Sequence, residues 1–211
     1  MPDEGPEDPI WFEGRIQALD FQVDGEPLVL WVASNISERH ELEIRLRELS
    51  DTDQLTGLFN RRKLEHDLAL HFETFTRHAV PTTVLIFDVD NLKKINDSKG
   101  HHVGDEVLLA VANTCRSELR KTDIACRFGG DEFVVCLPNT APDRALKFAE
   151  RLQQDLRQAL MDFSVGDIAA TISLGAANIS SEDRSYEDTL KRADDALYKA
   201  KRLGKDRIVT A

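Results

Sequence analysis

The segment Arg127-Phe-Gly-Gly-Asp-Glu-Phe133 combines residue types that could hold a phosphate and a metal ion. Gly129 and Gly130 have no side chains to keep an anionic ligand away from the backbone amides, and Asp131 and Glu132 follow them directly. Carboxylate oxygens are the ligands that magnesium prefers, and clustered backbone amides bind phosphate. A solvated Asp-Glu pair on an ordinary turn is the plainer interpretation. The glycines alone would favour it, so the metal assignment depends on acidic residues elsewhere in the chain.

A second acidic cluster lies upstream of this segment. The apolar run Thr82–Val89 predicts a central, buried strand, and its end reads Asp88-Val-Asp90. Both carboxylates face the same side of such a strand, and a buried carboxylate needs a metal ion, a cation or an amide as partner. We interpret Asp88 as a metal ligand and Asp90 as a cap at the start of the following helix.

Polar residues beyond this strand could recognise a purine base. Asn96 and Asp105 lie on either side of Gly100 and Gly104. An Asp carboxylate accepts from the guanine N–H groups, and an Asn amide can both donate and accept. The alternative is a simple turn followed by an acidic residue in the first turn of a helix, where the helix dipole stabilises it.

The elements that must position these residues alternate in the manner of a layered α and β domain from residue 51 onward. A Gly-Gly hairpin, with φ > 0 in its tight turn, is expected to join two short strands, Ile124–Cys126 and Phe133–Leu137. Further strands are predicted at Ile168–Ala177 and Arg207–Thr210. Helices are predicted from the Asn60 cap to His78, from Gly104 to Leu119, from a capping box at Thr140–Asp143 to Met161, and from Ser185 to a terminating Gly204.

The first fifty residues have a different character. Residues 1–9 are acidic and contain three prolines, which predicts disorder. Two strand-like runs, Trp11–Val23 and Pro27–Ser34, flank Asp24-Gly25, a good hairpin turn. Ser37–Ser50 is predicted to be a charged helix with Leu42, Leu46 and Leu49 on one face. This helix is either a short coiled coil or a linker helix packed on its own domain.

Composition narrows the class of protein. The net charge of −11 argues against a general nucleic-acid-binding surface, so a site for a polyanion must be built locally. The three cysteines have no CxxC spacing, and buried, reduced thiols are expected. The chain contains no long apolar run and no signal peptide before its acidic N-terminus. The sequence therefore predicts a soluble cytoplasmic protein without a membrane segment.

Taken together, the motifs resemble the GGDEF family of diguanylate cyclases over about residues 51–211. Leu92 stands where the family often has Phe, which is one apolar residue for another. The matching segments are Asp53-x-Leu-Thr-Gly-Leu-x-Asn-Arg61, Asp88-x-Asp-x-x-Lys-x-x-Asn96-Asp-x-x-Gly-His101-x-x-Gly-Asp105, Arg127-x-Gly-Gly-Asp-Glu-Phe133 and Ala196-Leu-Tyr-x-Ala-Lys201-x-x-Gly-Lys205.

The resemblance implies an α+β, palm-like fold related to nucleotidyl cyclases, with a mainly antiparallel central sheet flanked by helices. It implies a metal site formed by Asp88, the Val89 carbonyl and Asp131, with Glu132 as an additional ligand. Magnesium is expected, and manganese is not excluded. Asp131, with Glu132 beside it, is the catalytic position, and Asp131 is the proposed acceptor of the proton of the 3′-hydroxyl.

The resemblance also implies substrate and product contacts. The substrate set is Asn96, His101 and Asp105 around guanine, Gly129 and Gly130 at the phosphates, and Lys201 and Lys205, one helical turn apart, at the terminal phosphates. Cations near a helix C-terminus would explain the lysines equally well. A product-binding inhibitory site is implied by Arg120, Asp123 and Arg151.

The implied reaction joins two GTP molecules into cyclic di-GMP with loss of two pyrophosphates. Because the product has two-fold symmetry, a single domain is only a half-site, and a homodimer is expected. The alternative is a non-catalytic GGDEF module that binds GTP or cyclic di-GMP as a receptor. Such modules usually lose the acidic residues of the signature, and this chain retains them.

The N-terminal part more weakly resembles the last strands and exit helix of a PAS sensor domain. This gives three expected segments: residues 1–36 as a disordered start and PAS-like hairpin, 37–50 as a coupling helix, and 51–211 as the catalytic domain. Most of a PAS domain would be missing, and we interpret the chain as a fragment of a longer sensor protein.

Overall fold

The computed structural model describes residues 10–23, 26–39, 41–42 and 51–211. The chain divides into two compact units, Met1–Ser50 and Asp51–Ala211. Residues 1–9, the Asp24-Gly25 turn and residues 43–50 of the expected coupling helix lie outside the described part, so those predictions stay open.

The first unit contains an antiparallel pair of strands, β1 (Phe12–Val23) and β2 (Glu26–Asn35). The register pairs Phe12 with Asn35, and it shifts between Ala18 and Gln22. The two predicted strands are therefore confirmed. Residues 37–39 and 41–42 are helical.

The second unit contains eight described strands and five described helices. The strands are β3 (Phe59–Asn60), β4 (Thr82–Asp90), β5 (Ile124–Arg127), β6 (Glu132–Pro138), β7 (Ser164–Val165), β8 (Ile168–Ala169), β9 (Thr171–Asn178) and β10 (Ile208–Thr210). The helices are α1 (Arg61–His78), α2 (Leu92–Lys99), α3 (His101–Glu118), α4 (Pro142–Ala159) and α5 (Tyr186–Arg202).

Six of these strands form the main sheet in the order β10-β9-β4-β6-β5-β3. The inner pairs β9–β4, β4–β6 and β6–β5 are antiparallel, and the outer pairs β10–β9 and β5–β3 are parallel. This confirms the predicted α+β fold with a mainly antiparallel sheet. β7 and β8 form a separate small ribbon, so the predicted strand Ile168–Ala177 is divided at Ala170.

β4 lies at the centre of the sheet, and all of its residues are buried, as predicted. Its alternating side chains enter two cores. Leu85 and Phe87 pack in the core that includes α2, α3 and α4, whereas Val84 and Ile86 pack in the core that includes α1 and α5. Asp88 and Asp90 continue the second set by the two-residue period of a strand. The three cysteines are buried and free, as predicted.

The helix starts were predicted with mixed success. Asn60 caps α1 as expected, since its Oδ1 accepts from Lys63 N at 3.0 Å. The capping box at Thr140 is wrong: Ala141 is the N-cap of α4, and the Thr140 hydroxyl donates to the Pro138 carbonyl instead. Pro142 begins this helix, where the fixed φ of proline suits the first turn. No helix among the described residues is long and apolar enough to span a membrane.

Candidate nucleotide site at the ends of the central strands

The two acidic clusters meet where β4 ends and β6 begins. The antiparallel register of these strands places Asp88 opposite Glu132. The Val89 amide donates to the Asp131 carbonyl at 3.2 Å, which ties the end of β4 to the signature segment. The sheet therefore brings together the four residues that were predicted as metal ligands.

Asp88 is the most perturbed carboxyl group of this region. It is 7% exposed, and its Oδ2 lies 3.0 Å from Lys201 Nζ. Burial raises its pKa to about 6, contact with Lys201 opposes this rise, and the charges of Asp131 and Asp90 add to it. A carboxylate held among other carboxylates favours a cation as partner, which here is the ammonium group of Lys201.

The donor set at these strand ends suits a hard divalent cation, because it offers carboxylate and carbonyl oxygens. Within the described residues, however, no three His, Cys, Asp or Glu side chains converge into a ready-made metal cluster. In the described parts of the chain, the cation that contacts Asp88 is the ammonium group of Lys201. A divalent ion bound here would share the Asp88 carboxylate with that lysine.

The signature segment forms the connection between β5 and β6, but not as a tight two-residue turn. Residues 128–131 link the two strands, and the amides of Phe128 and Gly129 both donate to the Glu132 carbonyl, at 2.8 and 3.3 Å. Neither glycine of the signature has positive φ, so that expectation was wrong. Both glycines are exposed, and a Cβ at Gly130 would meet nothing within 4 Å. The glycines therefore keep the tip of the hairpin open.

The guanidinium group of Arg127 stabilises this hairpin. Its Nε and Nη2 donate to the Gly130 carbonyl at 3.1 and 2.8 Å, and its Nη1 lies 3.2 Å from Asp53 Oδ1. Asp53 also accepts from the amide and the hydroxyl of Thr56. Burial raises the Asp53 pKa, but the hydrogen bonds from Thr56 and Arg127 outweigh it and the pKa is lowered. The Asp-x-x-Thr spacing, typical of a polar turn, was the signal available in the sequence.

Asp90 does not cap the next helix, and that prediction was wrong. The N-cap of α2 is Asn91, which is in the left-handed region and makes no capping bond with its side chain. Asp90 is 1% exposed and accepts from the hydroxyls of Thr171 and Ser173, at 2.8 and 2.9 Å. Nothing in the motif spacing singles out these two hydroxyls, because they lie far from Asp90 in the chain.

The two predicted phosphate-binding lysines lie near this strand end but not on one helix. Lys201 belongs to α5, whereas Lys205 follows the end of that helix and has a φ of 64°. The expectation that they lie one helical turn apart was therefore wrong. Lys205 Nζ donates to Asn91 Oδ1 at 2.9 Å. Sequence patterns did not identify Asn91 as the partner of Lys205.

The predicted purine-binding residues lie on two successive helices joined at Gly100. Asn96 is on α2, and His101 and Asp105 are exposed on α3. The Oδ1 atom of Asn96 is buried and has no hydrogen-bond partner. If residue 104 were alanine, its Cβ would lie only 1.8 Å from this oxygen. Gly104 therefore makes room for an amide whose oxygen lacks a donor.

The three residues of the predicted inhibitory site line one cavity of about 210 Å³, which lies at the opposite end of β6 from Glu132. The Arg120 amide donates to Asp123 Oδ2 at 3.0 Å, which fixes the turn between these residues. Arg151 lies on α4, and its Nε contacts Glu118 Oε2 at 2.9 Å. The structure thus brings Arg120, Asp123 and Arg151 together.

The sequence of this chain is similar to a known protein family and to several of its members. The family model described as "Diguanylate cyclase, GGDEF domain" matches residues 50–207. The chain belongs to the GGDEF diguanylate cyclase family. The chain is 41% identical over 164 residues to the response regulator PleD of Caulobacter vibrioides, in an alignment that covers 77% of this chain and 36% of PleD. It is 37% identical over 191 residues to the diguanylate cyclase DgcM of Escherichia coli, which covers 90% of this chain and 45% of DgcM. The chain thus spans less than half of these curated relatives.

Solved GGDEF structures share the fold. The diguanylate cyclase SiaD of Pseudomonas aeruginosa, in complex with its activator SiaC, superposes with a TM-score of 0.71 at 38% identity, covering 83% of this chain and 69% of SiaD. The coiled coil and GGDEF domain of DgcB from Caulobacter crescentus, in complex with c-di-GMP, give a TM-score of 0.72 at 26% identity. The match covers 83% of this chain and 93% of the DgcB chain. The PAS-like assignment of residues 1–36 stays a prediction.

Proposed function

We propose that the GGDEF domain of this chain is a diguanylate cyclase that condenses two GTP molecules into cyclic di-GMP and two pyrophosphates. The observation that carries the proposal is the pairing of β4 with β6, which places Asp88 opposite Glu132 and bonds the Val89 amide to the Asp131 carbonyl. Lys201 pairs with Asp88 at the same strand end. Family membership supports the same activity. The signature carboxylates are retained, which argues against a purely receptor module.

For base recognition we assign Asn96, Asp105 and His101. The buried, unpartnered oxygen of Asn96 needs a hydrogen-bond donor, and an N–H group of guanine can supply one. Asp105 is exposed and follows Gly104 in the chain, and we propose that it accepts from a second N–H group of the same base edge. This pair of acceptors would favour guanine over adenine, whose base edge offers fewer donors.

For the phosphates we assign Lys201, Lys205 and the open backbone of Gly129 and Gly130. The two ammonium groups neutralise the terminal phosphates, which leave as pyrophosphate. Asp88, the Val89 carbonyl, Asp131 and Glu132 would hold the divalent metal ion, either magnesium or manganese. When bound, such an ion lowers the pKa of the attacking hydroxyl and neutralises charge on the leaving group.

Asp131 is assigned as the acceptor of the proton from the substrate 3′-hydroxyl. The freed 3′-oxygen forms a bond to the α-phosphorus of the other GTP, and the bond from that phosphorus to the pyrophosphate oxygen breaks. The same exchange in the opposite direction closes the ring. Each domain supplies one nucleotide, so two copies of the chain must face each other as a symmetric pair.

We further propose that cyclic di-GMP inhibits the enzyme by binding in the cavity of Arg120, Asp123 and Arg151. Arginine can donate two parallel hydrogen bonds to a phosphate or to the guanine edge, and Asp123 can accept from guanine N–H groups. Arg120→Ala should relieve product inhibition without lowering the initial rate. Unchanged inhibition in this variant would contradict the assignment.

We also propose a role for the first fifty residues. Residues 1–36 would be the end of a PAS-like sensor and residues 37–50 a helix that couples it to the GGDEF domain and promotes pairing. Such a protein would work in the cytoplasm, where GTP is available.

The activity is tested by incubating the chain with GTP and Mg²⁺ at several protein concentrations and separating the nucleotides by chromatography. Cyclic di-GMP should form with a specific activity that rises with protein concentration, and Asp131→Asn should abolish it. Binding of GTP or cyclic di-GMP without turnover at any protein concentration would instead support the receptor alternative.

A further inference from the structure

The backbone takes a strained course directly after α5. Gly204, Lys205 and Asp206 all have positive φ, at 112°, 64° and 48°. Glycine adopts this conformation readily, whereas the Cβ atoms of Lys205 and Asp206 make it unfavourable. Strain of this kind persists only when surrounding contacts hold it. Because Lys205 is assigned to the substrate phosphates, the contacts that hold this turn also determine where its ammonium group lies.

Several contacts hold the turn, among them the bond from Arg207 Nε to the Lys205 carbonyl at 3.0 Å. The Lys205 amide donates to the Ala200 carbonyl at 3.1 Å, which continues the end of α5. The Asp206 carboxylate accepts from Arg157 Nη2 at 2.9 Å, and the Asp206 amide donates to Asp90 Oδ2 at 3.3 Å. The last contact connects the turn to β4, the strand that carries Asp88.

Asp90 is itself held firmly. Its carboxylate accepts from the hydroxyls of Thr171 and Ser173 at the start of β9, and its 1% exposure leaves no surface for a substrate. Asn91, the next residue, accepts from Lys205 Nζ at 2.9 Å. Two adjacent residues at the end of β4 therefore contact the backbone and the side chain of the same turn.

We propose that Asp90 is a positioning residue that holds the Lys205–Asp206 turn against the end of β4 and so places the Lys205 ammonium group for the terminal phosphates of GTP. Without this acceptor, the strained turn relaxes and Lys205 moves away from the strand end. The inference rests on the proposed function, because it takes Lys205 as a phosphate contact. It assigns a role to an aspartate that neither binds substrate nor caps a helix.

The test compares the affinities of the full chain for two probes in Mg²⁺ buffer. One is the non-cyclising GTP analogue with a methylene group between the α- and β-phosphorus, and the other is GMP, which lacks the terminal phosphates. Asp90→Ala should weaken analogue binding by about tenfold, the size of one lost charge-assisted hydrogen bond, and leave GMP binding within about twofold. Asp90→Asn keeps an oxygen acceptor and should restore most of the preference for the analogue.

The double variant with Lys205→Ala separates positioning from general damage. If Asp90 acts through Lys205, Asp90→Ala should have no further effect on analogue binding in the Lys205→Ala background. The same background also identifies an indirect effect of the Asp90 charge on Asp88. An effect of that kind does not need Lys205, so it would still be measured in the Lys205→Ala background. Asp183→Ala is the matched control, because Asp183 is another carboxylate with a buried side chain that accepts from a threonine hydroxyl, and it lies in the segment before α5. It should leave the ratio of the two affinities unchanged.

If Asp90→Ala does not fold, Ser173→Ala is the milder variant, since it removes one hydroxyl that donates to Asp90. It should reduce analogue preference by about twofold to fivefold, again only when Lys205 is present. The role assigned to Asp90 would be overturned by equal losses of analogue affinity with and without Lys205. It would also be overturned if the ratio of analogue to GMP affinity were unchanged in both the Asp90 and the Ser173 variants. Either result would leave the proposed cyclase function standing. If Lys205→Ala itself leaves the ratio unchanged, the phosphate assignment fails, and the inference falls with it.

Discussion

At the scale of single residues, Asp88 shows how a carboxyl group can be held ready for a cation at a cost in stability. Its folded pKa of about 6 lies above its ordinary value of 3.8. The folded protein therefore binds the proton more tightly than the unfolded chain does. The stability that this proton contributes is fully present below pH 3.8 and is lost as the pH rises through about 6.

Asp88→Asn should therefore stabilise the metal-free protein at pH 7.5 by about 1 kcal/mol while abolishing turnover. The difference in unfolding free energy between variant and wild type should disappear near pH 4. Urea unfolding in the presence of a chelator at both pH values measures it. Asp183→Asn is the control, because burial raises the Asp183 pKa but the hydrogen bonds of Arg192, Ser180 and Thr189 lower it overall. That substitution should destabilise the protein at pH 7.5 and less so in acid. A pH-independent effect of Asp88→Asn would contradict the assigned pKa.

Gly104 leaves the space that the side chain of Asn96, our proposed base-binding residue, occupies. Alanine at this position would place a Cβ atom 1.8 Å from Asn96 Oδ1, so the Asn96 side chain must rotate away. The helix itself should tolerate Gly104→Ala, because alanine favours the helix by about 0.5–1 kcal/mol over glycine. Affinity for GTP, measured by calorimetry in an Asp131→Asn background, should fall about tenfold. Asn96→Ala should cause a similar loss, and the double variant should be no worse than either. Unchanged affinity in Gly104→Ala would exclude Asn96 from the site.

At the scale of elements, the hairpin of β5 and β6 owes its shape to Arg127 more than to its glycines. The guanidinium group contacts the Gly130 carbonyl and Asp53 at once. Arg127→Ala should lower kcat by at least about tenfold and reduce stability by about 1–2 kcal/mol, as expected for partly buried charged hydrogen bonds. Its loss also removes two contacts that lower the Asp53 pKa. The variant should therefore lose less stability than wild type as the pH falls through the ordinary pKa of Asp53, so the difference between the two proteins should narrow in acid.

Steady-state kinetics at saturating GTP and urea unfolding measure these two effects. Asp53→Asn is the matched variant, because it removes the ion pair but leaves the bonds from Arg127 to Gly130. It should retain more activity than Arg127→Ala. If both variants are equally impaired, the ion pair matters more than the bonds to the hairpin carbonyl.

The hairpin also illustrates what the sequence could and could not predict. The strand β4 follows from an unbroken apolar run, and the convergence of Asp88 with Glu132 follows once the two strands pair. The φ values of Gly129 and Gly130 did not follow, because the connection is longer than a two-residue turn. The partners of Asp90 and Lys205 depend on long-range contacts with β9 and with the residues after α5, which local sequence patterns do not specify.

At the scale of the whole molecule, the symmetry of the proposed product requires two domains. Each GGDEF domain carries one copy of Asp131 and one set of the proposed base-binding residues, so under the proposed mechanism each would present one 3′-oxygen. A wild-type domain paired with an Asp131→Asn domain can therefore form one phosphodiester bond but cannot close the ring. Such pairs should release the linear dinucleotide instead of cyclic di-GMP.

Mixing wild type with an equal amount of Asp131→Asn protein tests this directly. If pairs exchange freely, about half of the wild-type domains will be in mixed pairs, and the rate of cyclic di-GMP formation should fall to about half. The linear dinucleotide should appear at the same time in the chromatogram. Arg77→Ala is the control protein for the mixture, because Arg77 is exposed on α1 and pairs only with Glu73 in the described structure. This variant should be active, so the mixture should keep the wild-type rate per domain and release no linear dinucleotide. An undiminished rate without linear product, at a concentration where sedimentation shows dimers and the two proteins have been mixed long enough to exchange, would mean that each domain works alone and that the two-domain mechanism is wrong.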